Sequence, residues 1–179
     1  MGGIKFYERA EIKDAVSYLR IINQKFDDLA LERVIGNPKR GVGESTLNQI
    51  YLFGKANKLC LEDSIIKIIE RGEFKPKIKT ALHQLINIIH KWRKDSLKMK
   101  HSDLLKLVLD ESGYSSMLKN KKDLENESRL ENLKELLRAM QDYDNLQNFL
   151  EHVALATSID QEWEGAKVNL MTIDRKSVV

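Results

Sequence analysis

Apolar residues at helical spacing, broken at intervals by glycine or proline, constrain this chain more than any other feature. Ile12, Ala15, Val16, Leu19 and Ile22 share one side of a 3.6-residue repeat that begins near Ala10, while Lys13, Asp14, Ser17 and Arg20 fall elsewhere. Asp27 or Asp28 can cap a second, short helix, which Gly36-Asn37-Pro38 ends near Ile35. A third begins near Ser45 or Thr46, with Leu47, Ile50, Tyr51 and Leu52 as its expected buried side. The stretch 62–71 repeats around Ile65, Ile66, Ile68 and Ile69 until Gly72, and Pro76 opens a long helix along Ile78, Leu82, Leu85, Ile86, Ile89 and Trp92. Leu104, Leu105, Val108 and Leu109 mark a further helix, capped by Ser102 or Asp103 and closed by Gly113. After a Lys-rich loop expected over 119–122, Leu130, Leu133, Leu137 and Met140 give one more helix, and Leu146, Phe149, Leu150 and Val153 another. No fixed-period repeat relates these segments. The fold class predicted is all-α.

One break is richer than the others: Asn37-Pro38-Lys39-Arg40-Gly41-Val42-Gly43-Glu44-Ser45-Thr46-Leu47. Glycine has no Cβ, so the backbone there can take φ > 0 and let another molecule come close. The helix start that follows leaves its first N–H groups without intrahelical partners, and such donors suit a phosphate oxygen. Lys39 and Arg40 bring positive charge to the same place. Helix, Gly-Val-Gly turn and helix in that order fit a helix-hairpin-helix type grip on a nucleic-acid backbone. They also fit a plain turn that ends one helix and starts the next, because Gly-x-Gly alone is a weak motif.

Composition narrows the function classes. An apolar fraction of 42% with 32% charged residues, and only 2 Pro and 9 Gly in 179 residues, describes a globular chain without long linkers. The net charge of +3 is too small to imply nucleic acid by itself. A single cysteine, Cys60, rules out an intramolecular disulfide and a thiolate-rich metal site, which fits a reducing compartment. With no apolar run near the roughly 18–20 residues that span a bilayer and no signal-peptide pattern, the expected location is cytoplasmic, away from membranes.

Near the end the period changes. Val168, Leu170 and Thr172 alternate with Asn169, Met171 and Ile173, as in a strand, and only the Gly2–Phe6 stretch offers it an extended partner. A lone strand leaves its backbone polar groups unpaired. The expectation is an all-α unit inserted into another domain's sheet, with both ends close together and belonging to that sheet.

The residues resemble a known family. Gly2-Gly3-x-x-Phe6-Tyr7-Glu8-Arg9-x-Glu11-Ile12-Lys13-Asp14, followed by Tyr18-Leu19-Arg20, looks like the segment after motif IV in UvrD/PcrA/Rep-type superfamily 1 DNA helicases. Asp27-Asp28 with Glu32-Arg33-Val34, then Pro38-x-Arg40-Gly41-Val42-Gly43 with Thr46-Leu47, follow in the family's order. So do Asp110-x-Ser112-Gly113-Tyr114, Ser128-Arg129-x-Glu131-Asn132-Leu133-x-Glu135-Leu136, Phe149-Leu150 with Val153-Ala154-Leu155, and Val168-x-Leu170-Met171-Thr172-Ile173. The resemblance implies the 2B subdomain, inserted between motifs IV and V of the helicase's 2A domain. Residues 1–9 are then a 2A segment, 10–165 the helical 2B body, and 166–179 a 2A strand with a non-family tail. It further implies contact with the duplex ahead of the fork through the Gly-Val-Gly backbone, and regulation by rotation of 2B against the 2A and 1B domains. The DNA site carried over is Lys39, Arg40, Gly41, Val42, Gly43, Ser45 and Thr46, with Arg40 making a phosphate salt link and the glycine and Thr46 amides neutral hydrogen bonds.

The departures carry equal weight. The sequence has no Gly-x-x-x-x-Gly-Lys-Ser/Thr loop and no Walker B Asp-Glu pair, and after Ile173 it reads Asp174-Arg175-Lys176-Ser177-Val178-Val179 instead of motif V. This stretch is therefore expected to be no enzyme in itself, with no catalytic residue and no cofactor of its own; ATP and Mg²⁺ belong to the parent helicase. No metal site is expected from the scattered His83, His90, His101 and His152. Glu8, Glu11 and Asp14 read as helix-start charges and ion pairs. The basic run Lys91, Arg93, Lys94, Lys98 and Lys100 reads as a solvated helix end, or as added phosphate contacts; Arg129, Glu131 and Asn132 read as bracing. The alternative function is a helical interaction module that recruits a repair-protein partner.

Overall fold

The computed structural model describes residues 4–158, and every described element is a helix. In chain order they are α1 (Ile4–Tyr7), α2 (Ala10–Asn23), α3 (Asp28–Gly36), α4 (Glu44–Asn57), α5 (Leu61–Glu70), α6 (Pro76–Asp95), α7 (His101–Glu111), α8 (Tyr114–Asn120) and α9 (Leu124–Met140). A further helix, α10, runs through residues 146–158.

The organising element is α2. Its expected apolar stripe is buried, and so are Glu11, Asp14, Ser17, Tyr18 and Ile21, so it is enclosed on nearly every side. Helices α3, α6, α7 and α9 pack around it. Asp14 was expected outside the apolar face. It is buried instead because it has two partners: Arg33 Nε of α3 at 2.6 Å and the Tyr114 hydroxyl of α8 at 2.6 Å. A buried carboxylate is tolerable only when paired and hydrogen-bonded in this way, and here it stitches three helices together.

Most predicted boundaries hold. Asp27 caps α3 by accepting from the Ala30 amide at 3.2 Å, and Pro76 stands at the start of α6, whose stripe from Leu82 to Trp92 is buried. Four expectations are corrected. Residues Ile4–Phe6 are helical, not extended; one turn lets Phe6 and Tyr7 both bury, with their rings edge to face at 5.4 Å. Lys100 occupies the cap position of α7, while Ser102 is buried within it and accepts from Gln141 Nε2 at 3.4 Å. Lys119 and Asn120 belong to α8, a helix of seven residues that Gly113 opens in the left-handed region at φ 80°. Leu52 is 68% exposed, because α4 buries only Ile50 and Gly54. The expected strand over 168–173, the spacing of the chain ends and the tail from Asp174 lie outside the described residues.

Shallow burial of α4 places its N-terminal bend at the edge of the molecule. The helix is held chiefly by α5, and Gly54 makes that approach possible. A Cβ at Gly54 would stand 2.6 Å from Ser64 Oγ and 2.9 Å from the Leu59 carbonyl oxygen. Gly54→Ala is expected to cost about 1–3 kcal/mol, the range for overpacking a filled core, read as a lower midpoint in thermal unfolding.

Candidate nucleic-acid interface

The bend between α3 and α4 is built from both sides. On the α3 side the carbonyls of Arg33, Val34 and Ile35 in its last turn have side-chain partners. Asn37 Nδ2 donates to the Arg33 carbonyl at 2.9 Å, and Arg40 Nη1 donates to the carbonyls of Val34, Ile35 (3.4 Å) and Pro38 (2.9 Å). Arg40 Nη2 donates to the Tyr18 hydroxyl at 2.9 Å, and that hydroxyl donates in turn to the Asn37 carbonyl at 2.6 Å. The α4 side is open. Gly43 precedes the helix in extended conformation (φ −88°, ψ 178°) and provides no side-chain cap. The first intrahelical bond runs from the Leu47 amide to the Gly43 carbonyl at 3.1 Å, so the amides of Glu44, Ser45 and Thr46 have no partner within the helix.

Each expected site residue can now be placed. Lys39, Gly41, Gly43 and Ser45 are exposed; Val42 and Thr46 are half-buried, Val42 resting against the core. Gly41 takes the left-handed region at φ 76°. No other part of the protein lies within 4 Å of where a Cβ would stand on either turn glycine, so the bend is unobstructed. Arg40 is half-buried with its guanidinium turned inward, away from this open side.

Chemically, the bend presents three free amides, the positive end of a fourteen-residue helix and one exposed lysine. Glu44, in the first turn, complements the helix dipole but opposes an incoming anion. The support behind the bend was not legible. Tyr18 and Asn37 hold the bend through their hydrogen bonds, and only the position of Tyr18 on the helical repeat hinted at burial.

The other candidate residues are occupied structurally. Lys91 pairs with Asp95 and Glu111 at 3.0 and 2.8 Å, and Arg93 with the buried Glu62 at 2.8 Å. Asn132 of α9 donates to Glu11 at 2.7 Å and accepts from Arg9 at 2.8 Å, bracing α9 against the start of α2. His101 Nε2 lies 2.5 Å from the Met140 carbonyl oxygen, and His152 packs against Tyr7 and Tyr143. Among the described residues no group of three or more His, Cys, Asp or Glu is placed to hold a metal ion, and no helix is long and apolar enough to cross a membrane.

Comparison with known proteins adds a family. The sequence model described as the UvrD-like helicase C-terminal domain matches residues 1–175. The chain is 36% identical over 175 residues to a Rickettsia typhi protein named DNA helicase II, covering 97% of this chain and 27% of that protein. It is 35% identical over 181 residues to the ATP-dependent DNA helicase PcrA of Staphylococcus aureus strain Mu50, covering 97% of this chain and 25% of that one. The chain thus spans about a quarter of the length of the curated relatives it matches.

Proposed function

The chain belongs to the family of UvrD-like helicase C-terminal domains, and from that premise we propose that it is the duplex-binding, regulatory 2B subdomain of a DNA helicase. The parent is an ATP-dependent enzyme that unwinds DNA 3′ to 5′ in repair or replication in the cytoplasm. Residues 10–165 form the 2B body, residues 1–9 belong with the parent's 2A domain, and 166–179 are a 2A strand with a tail outside the family pattern. The 2A and 1B domains are the surfaces against which this body turns. ATP and Mg²⁺ serve the motor of the parent, and no step of that chemistry is assigned to the described residues.

The observation that carries the reading is the open bend between α3 and α4, which we read as a grip of helix-hairpin-helix type. Its amides at Glu44, Ser45 and Thr46 and its bare glycines face outward, with Lys39 beside them. Donors fixed on a rigid backbone suit phosphate oxygens and carry no base preference, so the grip is independent of sequence. Lys39, Gly41, Val42, Gly43, Ser45 and Thr46 make the face toward the phosphates, and Arg40 completes the site from behind.

Titrating a fluorescently labelled duplex with the 179-residue chain at several salt concentrations tests this. Affinity is expected to fall steeply with salt and to be equal for unrelated duplex sequences. Lys39→Ala should flatten the plot of log affinity against log salt by about 0.9, the contribution of one neutralised phosphate. Absence of duplex binding at low salt would instead favour the module that recruits a repair partner.

A further inference from the structure

Building on that duplex-binding reading, we infer that Arg40 and Tyr18 are positioning residues: they lock the Gly41–Gly43 bend and the start of α4 in place from the protein side, and Arg40 touches no phosphate. Both terminal nitrogens of the guanidinium are already directed at the fold, Nη1 at the carbonyls of Val34, Ile35 and Pro38 and Nη2 at the Tyr18 hydroxyl. The end-on pair of terminal nitrogens, one of the two edges that can grip a phosphate bidentately, is thereby spent on the protein. The charge has work to do where it lies, because the last carbonyls of α3 form the negative end of that helix.

Tyr18 anchors the other end of the link. It sits on α2, fully buried, with the rings of Trp92 and Tyr114 edge-on at 5.8 and 6.4 Å. Its hydroxyl must donate to Asn37 while accepting from Arg40, which requires the neutral phenol. Burial raises its pKa, opposed by the Arg40 charge, and so keeps it protonated. The bend is thereby tied to the most enclosed helix of the fold. Its free amides then point in one direction before any ligand arrives, and binding loses less entropy in ordering them. Lysine cannot replace Arg40 here, since a single ammonium does not reproduce a fork that reaches four acceptors. Lys39, exposed one residue earlier, is the cation left for phosphate.

The test compares wild type, Tyr18→Phe, Arg40→Lys and Lys39→Ala by duplex affinity across salt. Without DNA, ¹⁵N relaxation order parameters over residues 39–46 are read for the same proteins. Tyr18→Phe keeps the packed ring, so it guards against a variant that simply fails to fold. Tyr18→Phe and Arg40→Lys are each expected to weaken binding roughly five- to tenfold with the salt slope unchanged, because the competent fraction falls while the number of neutralised phosphates does not. Their order parameters should drop from about 0.85 towards about 0.6. Lys39→Ala should show the reverse: a shallower slope and an unmoved bend. Wild-type affinity in Arg40→Lys, or order parameters unmoved in Tyr18→Phe, would overturn the inference. Failure of the wild-type chain to bind duplex would sink the DNA reading instead, and the order parameters would still decide whether this pair holds the bend.

Discussion

Gly43→Ala is expected to leave the stability of the fold unchanged or slightly raised while lowering duplex affinity by at least about tenfold, or roughly 1.4 kcal/mol. The two effects separate because of the backbone. At φ −88° and ψ 178° any L-residue is comfortable, and beyond its two chain neighbours no part of the protein lies within 4 Å of the added methyl. Alanine also restricts the unfolded chain more than glycine does, which favours folding by roughly 0.4–1 kcal/mol. Nothing inside the protein therefore penalises the change. On the duplex-binding reading proposed above, the methyl occupies the space a phosphate oxygen needs to reach the amides of Glu44, Ser45 and Thr46. Gly41→Ala differs, because φ 76° imposes roughly 1–2 kcal/mol of left-handed strain on alanine, and relief of that strain re-aims the bend. It should lose both stability and affinity. Measuring the unfolding midpoint and the dissociation constant on each variant separates the two. Wild-type affinity in Gly43→Ala would remove the idea that the main chain approaches DNA closely at this bend.

Much of the helical plan was legible because burial in this fold follows the 3.6-residue repeat. Leu82, Leu85, Ile86, Ile89 and Trp92 line one face of α6, and the same residues are its buried ones. What failed has local physical causes. α8 is too short to show a period, and only Tyr114 and Leu118, one turn apart, are buried in it. Leu52 looked like core because it is apolar, but burial depends on what covers a residue, and α4 is covered on one narrow strip only. Asp14 looked like surface because it is charged, and its partners Arg33 and Tyr114 lie far along the chain. At the bend, the glycines and the helix start were readable as a motif. The inward turn of Arg40 was not, because it depends on Tyr18 arriving from another helix.

Arg93→Ala is expected to be the most destabilising change in the basic run, costing about 3–5 kcal/mol. Glu62 is 2% exposed, and Arg93 Nη1 donates to it at 2.8 Å; His90 Nε2 stands farther off at 3.5 Å. The same guanidinium donates through Nε and Nη2 to the Ile21 carbonyl at 3.2 and 2.8 Å, so one side chain ties α5, α6 and the end of α2 together. Removing it strands a buried carboxylate and a backbone carbonyl at once. Replacing both Arg93 and Glu62 by leucine should cost much less, because no unpaired charge then remains inside. Lys94 and Lys98 are exposed, and alanine at either should shift stability by no more than about 0.5 kcal/mol. Urea unfolding of the four variants ranks them directly. An Arg93→Ala midpoint no lower than that of Lys94→Ala would mean Glu62 finds water or another partner. A midpoint far lower separates Arg93 from its neighbours in the run: it holds the fold, and only the exposed lysines are left to meet a phosphate there.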